Sequence, residues 1–385
     1  MKRICFLTDS IFSYGGVQRV TAVIAKELAK DYDVTIVTLD EPSMMDTSLY
    51  GLQEANIHYR FFSFPKVAYW KNLRCKAYSA LYRKLLPQTK LTSDGYCHSS
   101  FPSEKRNALA KELQEGQYNA IVGVHAPLAI RLATCKPWLK GTKLIGWIHN
   151  SYEALFGQGS LYIGPELRKH YEFQLMKLDE TIVLCQFDAK KYSFPTQVIY
   201  NPLTLSPGTM SSGTSKKFLA VGRFSHLHKG FDLLIQAFKL FATNDKEWAL
   251  DIVGDGPEKP VLEQMIKDYG LTDRVTIHPF TNHIQTYYSA ASIYVLSSRW
   301  EGFGLVLVEA MAHGLPIVSS DLPTSKEIME DFGIYFENGN INQLAQRLED
   351  ATHINWHEKS KEALNIAKRF NVENIINQWK AMIEA

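Results

Sequence analysis

The chain has 385 residues, enough for two domains that each bury a core of their own. A formal net charge of +2 gives no ground for general polyanion binding, and the odd, scattered Cys5, Cys75, Cys97, Cys135 and Cys185 lack metal-ligand spacing and read as reduced cytoplasmic thiols. Lys2-Arg3 opens the chain, but Asp9 and Arg19 cut short any signal-peptide core, and no apolar run approaches the ~20 residues of a spanning helix, so the expectation is a cytoplasmic protein, at most peripheral on a membrane.

Short apolar runs alternate with amphipathic helical patterns, which argues for parallel sheets built from βαβ units. In the first half the runs over 3–8, 33–39, 57–64, 119–125, 143–149, 180–185 and 197–201 read as strands. Tyr14-Gly15-Gly16-Val17-Gln18 follows the first of them and opens a helix, where paired glycines let a ligand approach the backbone. It is not a dinucleotide fingerprint, because the G-x-G-x-x-G spacing is absent. His125 and His149-Asn150 each end a strand, which puts two imidazoles at carboxyl strand ends of one sheet. A lone histidine there is more often structural than catalytic.

The stretch between Glu54 and Asp94 contains no acidic residue, while Arg60, Lys66, Lys71, Arg74, Lys76, Arg83, Lys84 and Lys90 accumulate in it. Tyr69, Trp70, Tyr78 and Tyr82 are interleaved with them. A basic amphipathic helix with interfacial aromatics over Lys66 to Lys90 suits an anionic membrane surface. The same pattern also fits a solvated helix whose aromatics face the core.

A polar stretch over 202–217, rich in Ser, Thr, Gly and Pro, reads as a linker. Its Gly208 to Ser215 segment shares glycines with a P-loop but lacks the lysine and the leading strand. A second alternating series follows, with strands over 218–222, 249–254, 275–280, 293–297, 317–320 and 334–336, and helices notably over 231–241 and 305–313. Arg223 stands at a carboxyl strand end and Lys229 at the entrance to the next helix. Two cations there would neutralise a diphosphate, arginine as a planar fork and lysine as a point charge. Either one alone also reads as a loop charge in water.

The densest chemistry lies in Arg299-Trp-Glu-Gly-Phe-Gly-Leu-Val-Leu-Val-Glu-Ala-Met-Ala-His-Gly-Leu-Pro316. Glu301 and Glu309 bracket a Gly-Phe-Gly turn that opens a helix near Leu305, whose free N–H groups and dipole favour an anion. Glu309 would lie roughly 6 Å behind the helix start at 1.5 Å per residue, with Glu301 on the far side of any bound anion. A ligand with phosphates in the middle and hydroxyls at both ends suits this pattern, which describes a nucleotide sugar. No His-Glu-x-x-His, aspartate pair or cysteine cluster supports a metal.

These motifs in this order resemble the retaining family 4 glycosyltransferases of GT-B fold: Gly15-Gly16-Val17-Gln18, Val221-Gly222-Arg223 with Lys229-Gly230, Val253-Gly254-Asp255-Gly256-Pro257, Glu301 through Glu309-Ala310, and Gly314-Leu-Pro316-Ile-Val318. The resemblance implies an α/β protein of two Rossmann-like domains facing across a cleft. The first, over 1–201, is the acceptor-side domain, joined by the linker to a nucleotide-sugar-binding domain over 218–371, and a final helix over 372–385 crosses back. It implies that Arg223 and Lys229 bind the donor diphosphate, that Glu309 bonds the ribose hydroxyls and that Glu301 contacts the sugar. Backbone amides of Gly304, Leu305 and Val306 would hold phosphate oxygens, and Gly15 and Gly16 would close over the donor. His125 would stand near the reacting sugar, with His149 and Asn150 on the acceptor side. No cofactor or metal is implied, only the donor as substrate and a glycan or lipid-linked glycan as acceptor.

Two other readings compete. A nucleotide-sugar epimerase on the same fold would need titratable groups for C2 chemistry, which the set Arg223, Lys229, Glu301 and Glu309 does not supply. A non-catalytic nucleotide-sugar-binding subunit would not require an intact site.

Overall fold

The computed structural model describes residues 1–385 apart from Gly159, Leu161, Ser206, Pro207, His226 and Leu227. The chain forms two units, Met1–Tyr200 with Ile375–Ala385, and Asn201–Asn374.

The first unit is a parallel sheet of seven strands: β1 (Arg3–Thr8), β2 (Asp33–Thr38), β3 (Ile57–Phe61), β4 (Ala120–Val124), β5 (Lys143–Trp147), β6 (Glu180–Val183) and β7 (Gln197–Val198). Their order is β3-β2-β1-β4-β5-β6-β7. The second unit repeats the plan with β8 (Lys217–Val221), β9 (Ala249–Val253), β10 (Val275–His278), β11 (Ile293–Leu296), β12 (Ile317–Ser320) and β13 (Ile334–Phe336), ordered β10-β9-β8-β11-β12-β13. Both are the α/β sheets expected from the alternating pattern. Strands such as Ile293–Leu296 and Ile317–Ser320 are buried along their whole length, as strands covered on both faces must be.

In each sheet the chain winds outward from a central strand in one direction and then in the other. The reversal lies between β1 and β4 in the first unit and between β8 and β11 in the second. Open α/β sheets bind ligands at the carboxyl ends of strands beside such a reversal.

Several expected strands end earlier than their apolar runs. The strands end at Val124, Trp147, Val183, Val253 and Leu296, while Ile148, Leu184, Cys185 and Ser297 stay buried beyond them. Apolarity reports burial rather than pairing, and these residues continue inward as loop floors at the carboxyl edge.

The final helix, Val372–Glu384, belongs mainly to the first unit. Trp379 is fully buried, with its ring 4.7 Å from Trp147 and 6.2 Å from Phe6. Pairs of this kind add about 0.5–1.5 kcal/mol beyond their area. Lys143 Nζ donates to the Met382 carbonyl, and Lys380 pairs with Asp31 at 2.6 Å.

The described part of the 202–217 stretch belongs to the second unit rather than standing as a free linker. Leu203 N–H donates to the Phe370 carbonyl at 2.7 Å, Ser211 N–H donates to the His313 carbonyl, and Lys217 already begins β8. Ser206 and Pro207 within it lie outside the described residues. Polar composition marks a surface segment here, and its backbone bonds show that the segment is packed.

Candidate functional site

In the second unit the expected residues fall on the loops after β8 and β11, adjacent strands on either side of the reversal. The β11 loop runs from Ser297 to Gly304 and leads into the helix Leu305–Ala312. Gly304 sits in the left-handed region at φ 86° and ψ 55°, a conformation that non-glycine residues rarely adopt. It turns the chain so that the first-turn amides of Leu305 and Val306 lead the helix outward, both residues being half-buried. Such amides have no intrahelical partner.

The two loops are fastened together residue by residue. Arg299 N–H donates to the His228 carbonyl at 2.8 Å, and His228 Nε2–H donates to the Trp300 carbonyl at 2.6 Å. Ser297 Oγ donates to the Lys229 carbonyl, and Arg299 grips Asp232 with both guanidinium nitrogens at 2.8 and 2.7 Å. The approach is tight enough that a Cβ on Gly230, at φ 62°, would stand 2.0 Å from the Ser297 carbonyl oxygen. Only glycine fits there.

At the centre of this joint Lys229 Nζ meets Glu301 Oε1 at 2.6 Å, with side-chain exposures of 15% and 7%. Ser298 Oγ donates to the same oxygen at 2.6 Å. Burial alone would raise the Glu301 pKa. The charges of Lys229 and His228, with the hydrogen bonds from Lys229 and Ser298, outweigh it and hold the carboxyl below its ordinary range. The sequence expectation gave Lys229 to a diphosphate and Glu301 to a sugar. Without a donor the two neutralise each other. His228, stacked on Trp300 at 4.6 Å, is pushed toward neutrality by burial, while Glu301 pulls the other way.

Glu309 lies one helical turn into Leu305–Ala312 and is 2% exposed. Its Oε2 accepts from the Tyr288 hydroxyl at 2.9 Å, and its Oε1 lies 3.5 Å from the Thr204 hydroxyl. Arg223 is exposed on the loop after β8. His226 and Leu227, between Arg223 and Lys229, are outside the described residues.

In the first unit the expected residues again cluster beside the reversal, after β1, β4 and β5. Gly15 caps the helix Gly16–Leu28 at φ 178°, which any residue adopts, so the backbone does not demand glycine there. The loop before it is tied down by Asp40, buried, whose Oδ2 accepts from the Ile11 and Phe12 amides at 2.8 and 3.2 Å and from Thr38 Oγ1 at 2.7 Å. Tyr50 hydroxyl donates to the Ser13 carbonyl and accepts from Gly15 N–H, both at 2.9 Å.

His125 adopts φ 70° and ψ 151°, a region that is almost exclusively glycine's. Its N–H donates to the Trp147 carbonyl and its carbonyl accepts from Ala129 N–H, both at 2.9 Å, so the strand and the following helix clamp the strained residue. The ring lies 5.3 Å from that of His149, which packs 4.2 Å from Trp147. Burial lowers the His125 pKa, with Asp9 and an Asn150 hydrogen bond opposing it. His149 is 7% exposed and driven far below its ordinary value by burial and by the neighbouring His125. It is a neutral support behind His125, and the half-buried Asn150 is the more accessible of the two acceptor-side residues expected.

Sequence reasoning missed Tyr288, Thr204, Ser298 and Asp40. Tyr288 stands 21 positions before Glu309 on a different helix, and no local pattern links them.

Residues 206–370 match the family described as glycosyl transferases group 1. Over its whole length the chain is 28% identical to an uncharacterised glycosyltransferase of Haemophilus influenzae, each covering the other completely. It is 26% identical to the amylovoran biosynthesis glycosyltransferase AmsD of Erwinia amylovora, over 86% of this chain and 85% of that one. The fold resembles that of Anabaena HepE, crystallised with UDP and glucose, at a TM-score of 0.75 and 19% identity with complete coverage of both chains. Residues 206–370, nearly all of the second unit, thus match the glycosyl transferases group 1 family, and together with the glycosyltransferase relatives and the shared fold they support a glycosyltransferase of GT-B fold.

Proposed function

We propose that the protein is a retaining, metal-independent hexosyltransferase that takes its sugar from a nucleotide diphosphate donor, UDP-linked in preference, and passes it to a glycan or lipid-linked glycan in cell-surface polysaccharide biosynthesis. The observation that carries this reading is the joint between the loops after β8 and β11, where Lys229, Glu301 and the glycine-opened helix meet beside the reversal of the sheet. The UDP and glucose held by HepE support the donor, and the amylovoran biosynthesis in the name of AmsD supports a biosynthetic pathway.

As the glycosidic bond breaks, charge develops on the leaving diphosphate. Arg223, Lys229 and the amides of Gly304, Leu305 and Val306 stabilise it. Glu301, released from Lys229, accepts from sugar hydroxyls, and Glu309 accepts from the ribose. Front-face attack assisted by the leaving phosphate needs no covalent nucleophile. From the first unit we assign His125 to the reacting sugar, Gly15 and Gly16 to closure over the donor and Asn150 to the acceptor, with His149 behind His125.

A panel of nucleotide sugars, followed by nucleoside diphosphate release in the presence of EDTA, tests the reading. We expect one donor to be turned over without added metal, and Glu309→Ala to raise its Kd by at least about tenfold through loss of charge-assisted bonds. Donor binding without turnover for any acceptor would favour a binding subunit, and turnover restored only by magnesium or manganese would overturn the metal-free route.

We further propose that the helix Tyr69–Lys84 docks a cytoplasmic enzyme on the inner face of an anionic membrane, where a lipid-linked acceptor resides. Among the described residues no helix is long and apolar enough to cross a membrane. Tyr69 and Trp70 are 73% and 75% exposed, Leu73 and Leu85 are also exposed, and Lys66, Arg74, Lys76, Lys84 and Lys90 surround them in water. The four aromatics divide between the two readings of the sequence. Tyr82 is buried against Tyr96, ring to ring at 4.6 Å, and Tyr78 is half-buried. Lys71 pairs with Glu104 at 2.7 Å, which offsets its charge, and the exposed Arg83 donates to the Tyr96 hydroxyl and keeps its own. Each remaining cation adds about 1 kcal/mol near an anionic surface. Co-sedimentation with anionic vesicles at low salt should fall to the level of neutral vesicles when Arg74, Lys76, Lys84 and Lys90 become glutamates. Equal binding to neutral and anionic vesicles by the unaltered protein would end the proposal.

A further inference from the structure

We propose that Tyr288 is a positioning residue for donor binding, acting through Glu309. The inference rests on the reading that Glu309 takes the ribose hydroxyls. A glutamate on a helix has three rotatable side-chain bonds and would sample several rotamers, each presenting its oxygens to a different place. Two buried residues, linked by three contacts, hold this one in a closed circuit. The Tyr288 hydroxyl donates to Glu309 Oε2 at 2.9 Å. The Tyr288 ring stacks on His313, centroids 5.0 Å apart and planes 24° apart. His313 Nδ1–H returns to the main-chain carbonyl of Glu309 itself at 2.8 Å.

Each link constrains the next. Tyr288 and His313 are fully buried, and the Tyr294 ring packs against the phenol ring with centroids 5.9 Å apart. The ring therefore cannot swing away, and its hydroxyl fixes where the Glu309 carboxylate points. Tyr288 lies on the short helix Gln285–Ala290, which precedes β11, so the element that enters the site's strand also aims the carboxylate that the following helix carries. Such support from behind a contacting group is what gives a binding residue its accuracy.

The test compares UDP with 2′-deoxy- and 3′-deoxy-UDP by calorimetry in the unaltered protein and in Tyr288→Phe, or the corresponding ADP or GDP set if the donor panel selects that base. Unaltered protein should lose about tenfold in affinity for at least one deoxy analogue. In Tyr288→Phe that discrimination should shrink toward nothing, and in turnover the loss should fall on donor KM rather than on kcat. Melting curves show whether the Phe protein is folded. Glu309→Gln gives a second background, in which adding Tyr288→Phe should change UDP affinity no further. A folded Tyr288→Phe protein that discriminates as sharply as the unaltered one overturns the positioning role. An unaltered protein blind to both missing hydroxyls overturns it too, and shows that the ribose assignment of Glu309 was the part at fault.

Discussion

Lys229→Met should lower both turnover and melting temperature, and adding Glu301→Gln to it should recover the melting temperature without recovering turnover. The pair is nearly dry, at 2.6 Å with 15% and 7% side-chain exposure. Removing one partner of a buried ion pair leaves an uncompensated charge and costs about 3–5 kcal/mol, whereas removing both charges is often close to neutral. For a protein of this size the single substitution translates into roughly 10 °C. Turnover follows a different account. A cation facing the charge that develops in the transition state contributes about 10²–10³-fold, and neither the single nor the double variant has it.

The pH dependence gives a second reading of the same pair. In the unaltered protein Glu301 ionises below its ordinary range, so the unfolded chain binds the proton more readily. Stability from this group is present above the ordinary carboxylate range and is lost as pH falls through the depressed value. In Lys229→Met burial acts on Glu301 without the lysine, which pushes its pKa upward and reverses the sign. The deficit of the single variant should therefore be widest near neutrality and should narrow toward pH 4–5. A constant deficit across that window would show that lost packing, not the bare carboxylate, is responsible.

The sheets were legible in the sequence because buried parallel strands are short apolar runs, and every expected run became a strand of β1 to β13. Their ends were not legible, since Ile148 and Ser297 are as buried as paired residues while lying past the ends of β5 and β11. Glu301, Lys229 and Glu309 stood out through glycine-marked turns at strand ends. That Lys229 bonds Glu301 could not be read, because the contact joins loops 72 positions apart and depends on how closely Gly230 lets them approach. Tyr288 carried no signal for the same reason: its task is set by a partner on another helix. The 202–217 stretch misled because Ser, Thr, Gly and Pro mark exposure, and an exposed segment can still bond its backbone to the Phe370 and His313 carbonyls.

His125→Gly should leave the melting temperature unchanged or higher while lowering turnover by about 10²-fold, the scale of a single group acting at a reaction centre. A histidine at φ 70° and ψ 151° stores about 1–3 kcal/mol of strain, which glycine would release. The backbone bonds to Trp147 and Ala129 remain in place, so the clamp itself survives. The ring's contact with His149 is lost, but His125 is only half-buried, so that loss is the smaller effect. His125→Ala gives the control. Alanine keeps the strain and loses the ring, so it should melt below both the unaltered and the glycine proteins while being as inactive as glycine. The acid limb should respond as well. Burial depresses the His125 pKa, so the unfolded chain takes up a proton first as pH falls below the ordinary histidine range, and stability declines through that window. Glycine removes this group's share of the decline and leaves that of His149. A glycine protein that melts as low as the alanine protein would show that the strain is not stored at this residue. One that turns over at the unaltered rate would remove His125 from the reaction.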